Sequence, residues 1–152
     1  MINNTAEISY VNPLLPYTKE TKMKILLFDE SEITYERVKR LIGHATDHVD
    51  EIRRISSLDN ILIDAYRMKP EIIILNTYFL RGSILETIRV LKTISPKCQI
   101  ISLVEFSDPV YQNLLTEAGS DYFIDLAQNF EDIPEILQKF KTRSPSGMKI
   151  AR

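Results

Sequence analysis

Acidic and amide side chains directly follow four apolar runs in this 152-residue chain. Asp29 and Glu30 follow the first of these runs, and Asn76, Glu105 and Asp125 follow the others. Hard divalent cations prefer such oxygen ligands, so Mg²⁺ or Ca²⁺ could bind here, chiefly through Asp29 and Glu30. Alternatively, Glu105 and Asp125 point into solvent or cap the next segments, as carboxylates at loop ends commonly do. Asn76 offers a carbonyl oxygen and an NH₂ group, but no anionic nucleophile.

The apolar runs alternate with segments of helical period, which predicts five strands and five helices. The strands are expected at 24–28, 49–57, 71–75, 99–104 and 121–124. The helices are expected at 31–42, 58–69, 84–94, 109–118 and 130–141. Gly43 would lie just past the first helix, and Asn129 would be the N-cap of the last. This alternation implies a parallel α/β sandwich, whose ligands bind outside the carboxyl ends of the strands.

Composition predicts a single globular domain at residues 23–142. Residues 1–22 contain two prolines and no clear period, which indicates an N-terminal extension, and residues 143–152 are predicted to be a flexible tail. The net charge of −2 gives no general attraction to nucleic acid or to an anionic membrane, and the pair Arg53–Arg54 is expected on an exposed face. No apolar run reaches the roughly 18 residues of a membrane span. We therefore predict a cytoplasmic protein.

Three segments resemble the receiver domain of bacterial response regulators (CheY-like). These are the run at 23–30 with its acidic pair, the run at 69–75 into the third strand, and the run at 118–122 with Tyr122 as the family's switch aromatic. The resemblance implies a flavodoxin-like (βα)₅ three-layer sandwich with a parallel sheet in the order 2-1-3-4-5. It also implies a signalling module rather than an enzyme.

The functional positions of that family are changed at most places in this chain. Asn76 stands at the position of the phosphorylated aspartate, and Val104 stands at the switch position of a threonine or serine. Asp125 stands at the position of a lysine that would stabilise the phosphoryl oxygens, so the sign of the charge is reversed. The acidic pair, Asp29 and Glu30, is kept. The resemblance therefore implies a degenerate receiver whose acidic pocket would repel a phosphate.

The leading hypothesis is a phosphorylation-independent protein-interaction module in signal transduction. Its partner would be a sensor kinase, an effector or a second copy, bound through the fourth helix, fifth strand and fifth helix. The residues expected on this face are Tyr111, Gln112, Glu117, Tyr122, Gln138 and Lys141.

Three alternatives remain open. The first is a phosphorelay receiver with Asp125 or Asp29 as acceptor, and the second is a small-molecule or metal sensor that uses the vacated pocket. The third is a transcription regulator whose DNA-binding part lies outside this chain, since about ten residues after the last helix are too few for a helix-turn-helix.

Overall fold

Five parallel strands form one sheet with helices on both faces. The computed structural model describes residues 22–45 and 48–141, so the predicted N-terminal extension and C-terminal tail lie outside the described residues, except for Lys22. The strands are β1 (Met23–Phe28), β2 (Val49–Ile55), β3 (Ile72–Asn76), β4 (Gln99–Val104) and β5 (Tyr122–Asp125). The helices are α1 (Glu32–Ala45), α2 (Leu58–Met68), α3 (Ile84–Ile94), α4 (Pro109–Ala118) and α5 (Ile133–Lys141). The strand order β2-β1-β3-β4-β5 confirms the predicted order and fold class.

The sheet separates two hydrophobic cores. Because successive side chains of a strand point to opposite faces, Leu26 and Phe28 of β1 enter one core while Ile25 and Leu27 enter the other. The first core is completed by α2, α3 and α4, and the second by α1 and α5. Burial on both faces explains why β1, β3 and β4 read as continuous apolar runs. The edge strand β2 is more polar, as its sequence predicts.

The expected end of α1 is wrong. The helix continues through Gly43 to Ala45, so Gly43 lies inside it. Ile33, near the start of this helix, is 76% exposed. It lies nine residues before the buried Ile42, and about two and a half helical turns place the two side chains on opposite sides.

The segments after β3 and β5 also differ from the expectation. A short helical turn, Thr77–Leu80, and a 3₁₀ turn, Arg81–Ser83, join β3 to α3. A 3₁₀ turn, Phe130–Asp132, precedes α5, and the Asn129 side chain makes no capping bond to the backbone. Instead its amide donates to the Asp132 carboxylate at 3.3 Å. Among the described residues, no helix is long and apolar enough to span a membrane.

Candidate functional site

A hydrogen bond between two buried side chains lies at the carboxyl end of the central strands. β1 and β3 are paired with Phe28 opposite Leu75, so the next residues, Asp29 and Asn76, lie side by side. The amide Nδ2 of Asn76 donates to Oδ2 of Asp29 at 3.0 Å. The Asp29 side chain has no solvent exposure and Asn76 is almost as buried. The hydrogen bond from a neutral amide therefore offsets part of the cost of shielding this carboxylate from water.

The remaining oxygens of this pair accept backbone hydrogen bonds. Oδ1 of Asp29 accepts from the Ser31 amide at 2.6 Å, and Oδ1 of Asn76 accepts from the Tyr78 amide at 3.2 Å. The Tyr78 N–H requires an acceptor and the Asp29 carboxylate requires a donor, which together determine how the Asn76 amide is oriented. Asn76 thus acts as a connector between β1 and the turn after β3.

Arg54 holds the loop that carries the acidic pair. Its Nε donates to the main-chain carbonyl of Asp29 at 3.1 Å, and its Nη2 donates to that of Glu30 at 2.8 Å. Arg54 is half-buried, whereas Arg53 is exposed, so the expectation of an exposed pair is wrong for Arg54. Burial raises the pKa of Asp29 above its ordinary value, although the hydrogen bonds from Asn76 and Ser31 and the charge of Arg54 lower it.

Asp125 forms a second buried site at the end of β5. Its Oδ1 accepts from the amides of Ala127 at 2.9 Å and Gln128 at 3.2 Å, and its Oδ2 accepts from the Ser107 hydroxyl at 3.1 Å. Only 3% of the residue is exposed. Of the two alternatives left open by the sequence, Asp125 therefore caps the segment that follows it. Burial raises its pKa, but the bonds from Ala127, Ser107 and Gln128 outweigh burial, so the pKa lies below the ordinary value of 3.8.

This lowered pKa predicts that Asp125→Ala destabilises the fold in a pH-dependent way. The carboxylate contributes stability above pH 3.8, and the contribution is lost as the pH falls through the folded-state pKa. The variant should therefore be less stable than wild type at pH 7, with a difference that narrows in acid. Urea unfolding at several pH values measures this, and Ser107→Ala, which removes one of the bonds, should show a smaller effect. A difference independent of pH would contradict the prediction.

The acidic side chains do not share one environment. Asp29 and Asp125 are buried with separate sets of partners, whereas Glu30 and Glu105 are exposed. Across residues 22–45 and 48–141, no group of three or more Asp, Glu, His or Cys residues could hold a metal ion. Oδ1 of Asp29 accepts from the Ser31 amide and Oδ2 accepts from the NH₂ group of Asn76, so this arrangement does not fit Mg²⁺ or Ca²⁺.

A cavity lies next to the Asn76 turn. Its volume is about 210 Å³, and it is lined by Thr77, Tyr78, Val104, Glu105, Phe106 and Tyr111. The Thr77 hydroxyl donates to the main-chain carbonyl of Leu103 at 2.9 Å, which joins the turn after β3 to the end of β4. Val104 is buried and has no hydroxyl with which to follow a phosphoryl group.

The predicted interaction face consists of residues from α4, β5 and α5. Tyr111, Gln112 and Tyr122 are half-buried, and Glu117 and Gln138 are exposed. The Tyr122 ring packs edge-on against Phe140 of α5, with ring centroids 5.1 Å apart. The Lys141 side chain lies outside what the structure describes. Tyr122 therefore has a packing role that requires no switching.

Sequence reasoning missed three contributors to this edge of the sheet: Arg54, Thr77 and Ser107. Arginine, threonine and serine are common on protein surfaces, so their residue types gave no indication of a role here. Each of the three side chains donates a hydrogen bond to a main-chain carbonyl or a carboxylate of another element. The one available signal was the position of Thr77 directly after Asn76. The other two contacts depend on loop geometry.

Comparison with known proteins shows the receiver fold. No protein-family model matches the chain. No curated protein matches it significantly. Among solved structures, a response regulator from Thermotoga maritima is 18% identical, with a TM-score of 0.70, over 80% of this chain and 98% of that one. The receiver domain of a DNA-binding response regulator from Colwellia psychrerythraea 34H is 9% identical, with a TM-score of 0.71, over 78% and 98%.

A third similar structure is a Burkholderia pseudomallei response regulator with a phosphorylated aspartic acid, a calcium ion and citrate. It is 20% identical, with a TM-score of 0.63, over 80% of this chain and 74% of that one. At these identities the likeness establishes the fold alone.

Proposed function

We propose that this chain is a receiver-fold signalling module of the cytoplasm that works through protein–protein contacts, without phosphorylation and without enzymatic activity. The observation that carries the proposal is the Asn76–Asp29 hydrogen bond. Phosphoryl transfer to a side chain requires a nucleophile, and the amide of Asn76 is not one. Both polar atoms of that amide already hold neighbouring elements in place.

The surroundings of Asn76 support the same proposal. Val104 cannot donate a hydrogen bond to a phosphoryl oxygen, and Asp125 would repel one. The alternative acceptors have no support from their geometry, because Asp29 is fully buried and both Asp125 oxygens accept hydrogen bonds. Each of these features would hinder a phosphorelay at this edge of the sheet.

Exposed apolar side chains favour a protein partner near α4. Phe106 is 68% exposed, Val110 is 70% exposed and Leu114 is 43% exposed. Their spacing of four residues puts Val110 and Leu114 on one side of α4, with Phe106 just before it. Large apolar groups that share a surface are typical of interaction sites, and the face expected from the sequence adjoins them through Tyr111 and Gln112. The partner would be a sensor kinase, an effector or a second copy of the chain.

Acetyl phosphate tests the phosphorylation-independent role. We expect no mass increase after the protein is incubated with acetyl phosphate and Mg²⁺ and measured by intact mass spectrometry. A receiver with an intact phosphoacceptor serves as the positive control. A phosphoryl adduct on this protein that disappears in Asp29→Asn or Asp125→Asn would identify an alternative acceptor and overturn the proposal.

A further inference from the structure

Three aromatic residues and one carboxylate line the cavity beside Val104. Tyr78 comes from the turn after β3, Glu105 and Phe106 from the loop after β4, and Tyr111 from α4. Val104 and Thr77 complete the lining. Three segments of the chain thus bring aromatic rings and a carboxylate to one site.

The size of the cavity limits what can enter it. Its volume of about 210 Å³ is smaller than the roughly 300–1,000 Å³ of pockets that bind drug-sized molecules. A nucleotide or a large cofactor is therefore too big for it. A single side chain or a fragment of similar size fits.

The chemistry of the lining favours a cation. Aromatic faces attract positive charge through their quadrupole. None of the lining residues whose side chains the structure describes is basic. The Glu105 side chain is exposed and has no hydrogen bond or ion pair to another described residue. An incoming cation would therefore meet aromatic rings and a carboxylate that no described residue neutralises, whereas an anion would be repelled by that carboxylate.

We propose that this cavity receives the side chain of an arginine from a partner protein. A guanidinium is planar and weakly hydrated, so it can stack on an aromatic face while its N–H groups donate to a carboxylate such as that of Glu105. A lysine ammonium is more strongly hydrated and lacks the flat face. The exposed Val110 and Leu114 continue the apolar surface beyond Phe106, which favours a protein over a small free cation. This inference rests on the proposed function, since it names the chemistry of the partner.

Nuclear magnetic resonance titration of the ¹⁵N-labelled full chain tests the proposal. The probe is N-acetyl-arginine-N-methylamide, and the matched control is the citrulline compound, which has nearly the same shape but no charge. We expect saturable shifts of the backbone amides of Tyr78, Phe106 and Tyr111 with the arginine compound, and none with the citrulline compound. Equal shifts with the two compounds, stronger binding of the lysine compound, or no saturable shifts at these amides would overturn the proposal.

Two variants test the assigned contacts. Glu105→Gln and Phe106→Leu should each weaken binding of the arginine compound about fivefold, because one removes the charge and the other removes a π face at nearly constant apolar character. Glu135→Gln, at an exposed position of α5, should leave binding unchanged. Unaltered affinity in Glu105→Gln would contradict the role of the carboxylate and overturn the assignment.

The chain's own arginines must also be tested as occupants. Arg143 and Arg152 lie in the C-terminal segment. If a double Arg143→Gln and Arg152→Gln variant shifts the cavity signals without any added compound, the occupant is the chain itself and the partner assignment fails. The titration contains no phosphodonor, so its failure would leave the acetyl phosphate result, and with it the proposed function, unaffected.

Discussion

Asn76→Asp should destabilise the fold by about 3 kcal/mol at pH 7 and should not create a phosphoacceptor. The substitution removes the amide that donates to Oδ2 of Asp29 and puts a second carboxylate against a residue with no solvent exposure. A buried charge that loses its partner costs several kcal/mol, and repulsion between like charges adds to that cost. Urea unfolding measures the change in free energy. An m-value equal to that of wild type would show that both proteins expose the same amount of surface on unfolding.

The loss of stability should depend on pH in a defined direction. Two adjacent buried carboxylates cannot both ionise readily, so the pKa of the pair is raised in the folded variant. Because this pKa is raised, the carboxyl pair contributes its full stability only below the unfolded-state pKa of about 4. That contribution is lost as the pH rises through the folded-state pKa. The deficit of the variant relative to wild type should therefore be largest at neutral pH and smaller in acid.

The exchange of the two residues provides a matched control. In a double Asp29→Asn and Asn76→Asp variant, the new amide at 29 can donate to the new carboxylate at 76. The amide oxygen at 29 can still accept from Ser31, and the carboxylate at 76 can still accept from Tyr78. This variant should recover most of the stability that the single change loses. A single variant as stable as wild type, or one that takes up phosphate at a rate typical of active receivers, would contradict the account of Asn76.

Much of the architecture follows from patterns that the sequence carries locally. Continuous apolar runs predicted β1, β3 and β4 because a parallel strand covered on both faces has no polar side to show. The expected range of α4, 109–118, is correct, because proline suits the first turn of a helix, as at 109, and glycine suits the residue after its end, as at 119. The strand order, however, came from the resemblance to receiver domains and not from these patterns.

The partners of the site residues were beyond what the sequence could predict. The sequence shows that Asn76 lacks a nucleophile, but the bond to Asp29 depends on the register of β1 against β3. Asp125 and Glu105 both follow apolar runs, yet one turns back to cap its own loop and the other faces solvent. The contact of Arg54 with the loop after β1 likewise depends on side-chain direction, which alternates along an edge strand.

Gly119→Val should destabilise the fold by about 3 kcal/mol. Gly119 has φ of 125°, a region that a β-branched residue rarely adopts. A Cβ at this position would lie 2.7 Å from Cγ of Lys92, too close for the two atoms to coexist. Lys92 cannot move away without loss, because its Nζ donates to the Cys98 carbonyl and to Oδ2 of Asp121, both at 2.7 Å.

Gly43 is a control position, because a side chain can be added there without an unfavourable φ and without a steric clash. It lies in α1, and a Cβ there would have no neighbour within 4 Å. Gly43→Ala should therefore stabilise the fold by about 0.5 kcal/mol, because alanine loses less backbone entropy in a helix. In thermal and urea unfolding, the midpoint of Gly119→Val should fall below that of wild type and the midpoint of Gly43→Ala should rise above it. Destabilisation by Gly119→Val of less than about 1 kcal/mol would mean that the junction of α4 and β5 tolerates a side chain, and that Lys92 and Asp121 do not hold β5 against α3.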